Sequence, residues 1–294
     1  MRPLHMLMML GVCTLWAGNM IAIKESVDAI PPLLAVALRY ALILPVCLPF
    51  LAVLRPAPGE SGPGRMRYAL GAALFLALSF GLGAVSFWLA TNISALAIAG
   101  QLGVPFSLLL AIAFAGERIQ WRRTLGIVMA FAGVAVLVFD PRVFDERWAL
   151  LLTVLAAFTW AVSTMLLRNL PGVHVLNLMG WQGLVALPLL LAGSLLLEPG
   201  AFEAARHAPL SAWAWIGYSG LLSTLVGHAG MAWMLQRYPV TTITPLTLPT
   251  PFLAVVAATL FYDLPVTWPM IVGGALTLGG VAIIALRSAR FRAQ

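Results

Sequence analysis

Uninterrupted apolar stretches of about 20 residues recur from one end of the chain to the other, and no other feature restricts its fold as strongly. Wound as a helix, one such stretch crosses a hydrocarbon core of about 30 Å. Ten are read from the sequence, near residues 4–24, 31–53, 68–91, 93–115, 124–139, 147–168, 174–197, 210–236, 241–262 and 268–287. Their hydrophobicity is continuous rather than alternating. That favours helices, whose backbone polar groups are satisfied internally in lipid, over barrel strands. With 62% of 294 residues hydrophobic and 9% charged, the chain lacks the polar surface to cover a water-soluble globule of its size. The longest connector, "RPAPGESGPGRMR" at 55–67, is a solvated loop of Pro, Gly and Ser with no room for a soluble module. The fold class is therefore an all-α polytopic membrane protein of ten transmembrane helices.

The first run is too long for a signal peptide, carries Trp16 and Asn19, and has no small-residue cleavage site, so it reads as an uncleaved first helix. Cys13 and Cys47 fall within the first two runs, where they read as small packing residues rather than as disulfide or metal partners.

A net charge of +7 would suggest nucleic acid in a soluble protein, so its placement decides. Twelve of the 17 Lys and Arg fall on the N-terminal side of the membrane and four (Lys24, Arg142, Arg147 and Arg206) on the other, with Arg39 alone inside a run. Most acids lie opposite the cations. By the positive-inside rule both termini are cytoplasmic. Losing or merging one span would mix the cations between faces, which supports the count of ten. The tail "RSARFRAQ" needs only anionic lipid as a partner, and no nucleic-acid function is expected.

The chain also repeats itself. "LWAGNMIAIK" at 15–24 is echoed by "TWAVSTMLLR" at 159–168, pairing Trp16 with Trp160, Asn19 with Ser163 and Lys24 with Arg168. Further pairs follow in order: Pro45 with Pro188, Trp88 with Trp233, Pro105 and Phe106 with Pro251 and Phe252, Glu117 with Asp263, Trp121 with Trp268, and Gly126 with Gly273. The offset drifts only from 143 to 147. So many ordered landmarks are hard to obtain by chance. Five spans per half is an odd number, so the halves, 1–140 and 141–294, enter the membrane from opposite sides as inverted repeats. Such repeats suit alternating access, although they also occur in channels and duplication can be retained for folding alone.

On these echoes, on "ERIQWRRTLGIVMAFAGVAVLV" and on "DLPVTWPMIVGGALTLGGVAII", the chain resembles the drug/metabolite transporter superfamily, specifically EamA-type exporters. The resemblance spans nearly the whole chain and implies two five-helix repeats. Within the family, the Trp-rich spans are similar to those of bacterial aromatic amino-acid exporters. The small four-helix multidrug members rely on a first-helix Glu. Here no acid precedes Glu25 in the first span, so proton-driven export of cationic drugs is not implied.

Polar side chains are costly against lipid, so those inside the spans are the candidate cargo-binding residues. Trp16 and Asn19 share a face of the first span, and Trp160 and Ser163 repeat that geometry in the sixth; both pairs read as cavity lining or as interhelix packing. Tyr218, Leu221, Thr224 and His228 recur at helical spacing in span eight. Ser79 and Phe80 match them in span three, with Gln101 and Thr244 added from spans four and nine. His228 is either a cargo or proton ligand or a satisfied structural group. Arg39 either meets protein, water or a cargo carboxylate, or snorkels to the interface. Pro105, Pro245, Pro249 and Pro251 favour kinks or local unwinding. "GGALTLGG" at Gly273–Gly280 lacks the residues of a phosphate loop and reads as a close-packing or dimer surface.

The expected function is a bacterial inner-membrane exporter of small amphipathic metabolites, led by aromatic or other hydrophobic amino acids. No cofactor, metal or obligate protein partner is expected, and the chain would be a monomer or weak dimer. Export of nucleosides, carboxylates or drugs is the alternative. An intramembrane enzyme would need a nucleophile or metal motif, and none is present; a channel would need a ring of charges or carbonyls.

Overall fold

The computed structural model describes residues 3–54, 64–115, 121–138, 145–235, 237–238, 243–263 and 266–291, which contain helices and no strand. Thirteen α-helices are named here: α1 Pro3–Ala29, α2 Pro32–Cys47, α3 Arg65–Leu89, α4 Ile93–Ala99, α5 Gly103–Ala115, α6 Trp121–Val138, α7 Arg147–Leu167, α8 Val175–Leu197, α9 Ala201–His207, α10 Leu210–Gly217, α11 His228–Leu235, α12 Pro249–Tyr262 and α13 Trp268–Phe291. Among the described residues, seven helical stretches are long and apolar enough to cross a membrane by length and composition. The other three predicted runs fall on α6, on α10 to α11, and on the shorter α12.

Local breaks have local causes. The backbone tightens into 3-10 turns at Leu48–Phe50 after α2, at Gly100–Leu102 between α4 and α5, and at Thr244–Thr247 before α12. Pro105 sits in the first turn of α5 and Pro249 at the start of α12, where a missing N–H costs no helical hydrogen bond. In "TNIS" the Asn92 side chain accepts from Ser94 N at 3.1 Å and caps α4. Span eight departs most from expectation. Tyr218–Gly227 winds as a π-helix between α10 and α11, and Thr224 Oγ1 donates back five residues to Ser219 O at 2.7 Å.

The halves interleave. α1 packs on α12 and on the π segment, while α7 packs on α3 and α5; α2 pairs with α8, and α6 with α13. Glycines set the α6/α13 contact. A Cβ on Gly126 would lie 2.8 Å from Gly280 O, and one on Gly273 would lie 2.6 Å from Gly133 O, so both backbones touch where side chains are absent. The sequence echo equates Gly126 with Gly273, and by the same offset Gly133 with Gly280. Exchanging the halves therefore converts one contact into the other. "GGALTLGG" thus packs within the chain.

α3 and α7 run antiparallel and are laced by hydroxyls. Ser163 Oγ donates to Ala72 O at 2.8 Å, Ser79 Oγ to Ala156 O at 2.8 Å and Ser86 Oγ to Ala149 O at 2.7 Å. The carbonyl and donor positions step by seven residues along both helices, which keeps them on one seam. Two acids cap helices far from them in sequence. Glu198 accepts from Leu33 N at 2.8 Å and Leu34 N at 3.2 Å at the start of α2. Glu146 accepts from Thr91 N at 2.9 Å and Asn92 N at 3.1 Å just before α4. Carboxylates suit these N-termini, where backbone donors are orphaned. Both ends of α1 are tied to the second half as well: His5 Nδ1 meets Tyr238 Oη at 2.6 Å, and Tyr262 Oη donates to Glu25 Oε1 at 2.8 Å. Cys13 and Cys47 are buried free thiols.

A candidate cargo cavity around Arg39

Helical spacing places four faces around one hollow. On α3, Ser79, Phe80, Gly83 and Phe87 lie three or four residues apart, as do Thr153, Ala156, Ala157 and Trp160 on α7. Met20 and Ile23 of α1 and Val36 and Arg39 of α2 add the other two faces, and Leu96 of α4 with Gly100 closes the wall of a cavity of about 250 Å³. Gly83 and Gly100 help to make the space, because a Cβ at either would meet nothing within 4 Å.

The wall carries a short ladder of aromatic and cationic groups. The Arg39 guanidinium carbon stands 4.2 Å from the centre of the Phe80 ring, and Phe80 meets Trp160 edge to face at 5.9 Å. The Tyr40 ring lies 6.2 Å from that of Phe80. Arg39 is 3% exposed. One of its nitrogens reaches Ser219 Oγ at 3.5 Å, at the limit of a hydrogen bond, while Nε and Nη2 are buried with no partner. Arg39 therefore does not snorkel. It stands inside the protein as a desolvated cation, and among the described residues no carboxylate pairs with it.

Of the residues chosen from the sequence, the cavity brings together Ser79, Phe80 and Trp160. Ser163, 1% exposed, instead spends its hydroxyl on α3, where it is a helix contact. A second cluster forms around the π segment. Trp16 Nε1 donates to Ser223 O at 3.3 Å, its ring lies 5.4 Å from the His228 ring, and Tyr218 Oη donates to Leu15 O at 3.1 Å. His228 Nδ1 lies 2.9 Å from Thr224 O; a carbonyl only accepts, so that nitrogen carries the proton. Asn19 belongs to this side of the molecule, and its Oδ1 is buried without a partner. Leu221 leaves the expected stripe and is 40% exposed, because the wider π turn breaks the three-and-four spacing on which the stripe was drawn. Gln101 is half-buried in the 3-10 turn next to Gly100. Thr244 opens its own 3-10 turn, and its side chain lies outside the described residues.

Two larger hollows, of about 520 and 510 Å³, carry less chemistry. The first surrounds the Glu198 cap, and the second is walled almost wholly by apolar side chains of α12 and α13. Thr259 Oγ1 in the second hollow is also buried without a partner, but it is a neutral hydroxyl; the smaller cavity is the one whose unsatisfied buried group, Arg39, carries a charge. Sequence reasoning had Arg39 in view as a lone cation within a span. Its neighbours Phe80 and Ser219 were beyond reach, since they come from two other helices.

Comparison with known proteins adds a family to this geometry. The sequence matches the EamA-like transporter family twice, over residues 3–139 and 147–286. The chain belongs to that family. A probable amino-acid metabolite efflux pump of Escherichia coli strain K12 is 27% identical over 92% of this chain and 91% of that protein. A probable terminal-alkyne amino-acid exporter of Streptantibioticus cattleyicolor is 31% identical over 62% of this chain and 61% of that protein. A crystal structure at 20% identity superposes with a TM-score of 0.65, covering 99% of this chain and all of that one, and so shares the fold. EamA-like membership makes this chain a membrane transporter by family rather than an enzyme.

Proposed function

We propose that the protein exports small amphipathic metabolites across a bacterial inner membrane, hydrophobic and aromatic amino acids foremost, by alternating access between two inverted five-span repeats. The observation that carries the reading is the cavity in which Arg39, Phe80 and Trp160 stand in line at the meeting of the halves. It joins an apolar wall to one orienting charge, the combination that holds a small amphipathic ligand. Efflux-pump and amino-acid-exporter relatives support the cargo class. The reciprocal glycine contacts of α6 and α13 support a pseudo-twofold relation between halves, and the charge bias supports cytoplasmic termini.

The test is efflux from proteoliposomes loaded with the twenty amino acids. Phenylalanine, tryptophan and leucine should leave faster than polar amino acids, and Trp160→Ala should slow them at least tenfold. Equal rates for all amino acids, or an unchanged rate in Trp160→Ala, would overturn the reading.

A further inference from the structure

We infer that the cavity reads the carboxylate of its cargo through Arg39 and has no counterpart for an ammonium group, so that apolar monocarboxylates are ligands whether or not they carry an α-amine. This rests on the cavity being the cargo site, as proposed above, and names what the site selects.

A guanidinium stays charged at any physiological pH, so burial cannot silence Arg39. Its Nε and Nη2 have no partner, and Ser219 is held only at 3.5 Å. Removing a cation from water without an anion is unfavourable, and the surroundings offer the charge ring faces and the neutral hydroxyls of Ser219 and Tyr40 but no anion. A carboxylate arriving in the cavity supplies the missing acceptor, and the guanidinium fork matches its two oxygens. The apolar body of the same molecule then lies against Phe80, Phe87 and Trp160, which share the wall with Arg39.

The ammonium of an amino acid finds no such welcome. Among the described residues no Asp or Glu lines the cavity. The Asp and Glu residues nearest in sequence are engaged elsewhere: Glu25 accepts from Tyr262, and Asp28 pairs with Lys24 at 2.6 Å. A cation could use a ring face, but that of Phe80 is already covered by the guanidinium. A net cationic cavity therefore favours a monoanion at least as well as a zwitterion of the same shape.

The experiment uses the purified full-length protein in detergent and four probes that share one ring: 3-phenylpropanoate, L-phenylalanine, L-phenylalaninamide and 2-phenylethylamine. Binding is followed calorimetrically. 3-Phenylpropanoate should bind within threefold of L-phenylalanine or more tightly, and the amide and amine at least tenfold more weakly. Arg39→Gln should cost the two acids at least tenfold and leave the amide unchanged. Arg39→Lys keeps the charge but loses the fork, and should fall between. An amide that binds as tightly as the acid would overturn the inference. So would phenylalanine binding tenfold tighter than 3-phenylpropanoate, acid affinity unmoved in Arg39→Lys, or no acid binding at all. Because the four probes act on the unaltered protein, a poorly folding Arg39→Gln leaves the inference decidable. Selective acid binding without flux in proteoliposomes would sink the exporter reading alone, whereas amino-acid flux indifferent to Arg39→Lys would sink this inference alone.

Discussion

The seam between α3 and α7 and its echo, where α1 meets α10, the π segment and α11, descend from one pattern and are fastened differently. Along the first, serine hydroxyls bind carbonyls of the facing helix at every seventh residue. At the echoing positions Ser163 is replaced by Asn19, Ser79 by Thr224 and Ser86 by Met231. Asn19 Oδ1 has no partner, Thr224 turns its hydroxyl to its own helix, and Met231 has none to offer. In place of the lacing stand two large groups, Trp16 and Tyr218, seated on backbone carbonyls. The laced seam keeps regular α winding, and the latched seam carries the π turn. Small hydroxyls let two helices pack closely at fixed register, whereas a bulky latch needs room and leaves the partner helix free to rewind. The seam beside Trp160 is thus held by repeated hydroxyl contacts at fixed register, and the seam beside Trp16 by two bulky groups against a π turn.

The largest way to break this contrast is to fill the latch. A Cβ on Gly227 would lie 2.7 Å from Trp16 Nε1, so Gly227→Val should cost about 3 kcal/mol of overpacking, read by thermal unfolding in detergent. Gly11→Val on the same helix as Trp16 should cost far less, because no atom stands within 4 Å of its Cβ. Equal losses would mean that the latch is not tight. Next in size, Ser79→Ala, Ser86→Ala and Ser163→Ala combined should cost about 2 kcal/mol, at roughly 0.6 kcal/mol per interhelical hydrogen bond. Their carbonyl partners are well separated, so the single losses should add. Smallest, Trp16→Phe keeps the ring and removes only the donor that reaches Ser223 O at 3.3 Å, and about 0.5 kcal/mol should go with it. A drop larger than that of the serine triple would reverse the ranking of the two seams.

The helical layout was legible because continuous hydrophobicity has one structural solution in lipid, and the 3-10 turns were foreshadowed by Pro105, Pro249 and their neighbours. The Asn92 cap could likewise be read from "TNIS". What stayed hidden depends on partners distant in the chain. Ser79, Ser86 and Ser163 are visible as polar residues, but the carbonyls they bind carry no sequence signal, so nothing in the sequence separates Ser79, which both laces α7 and lines the cavity, from Ser163, which only laces α3. Leu221 falls on a stripe only under α periodicity, and Gly217, Gly220 and Gly227 are the hint in the sequence that the winding changes there. The cost of burying Arg39 could be read from its position, while its placement over Phe80 required the third dimension.

Glu146 and Glu198 give the fold an order of assembly. Each completes the start of a first-half helix, α2 or the lead into α4, from a position made later in the chain. During synthesis those helix starts emerge without their caps, and the ribosome must pass residue 146 before the lead into α4 gains its carboxylate and residue 198 before α2 gains its own. The first repeat, although it resembles a self-contained unit in sequence, therefore waits for the second to finish two of its own helices.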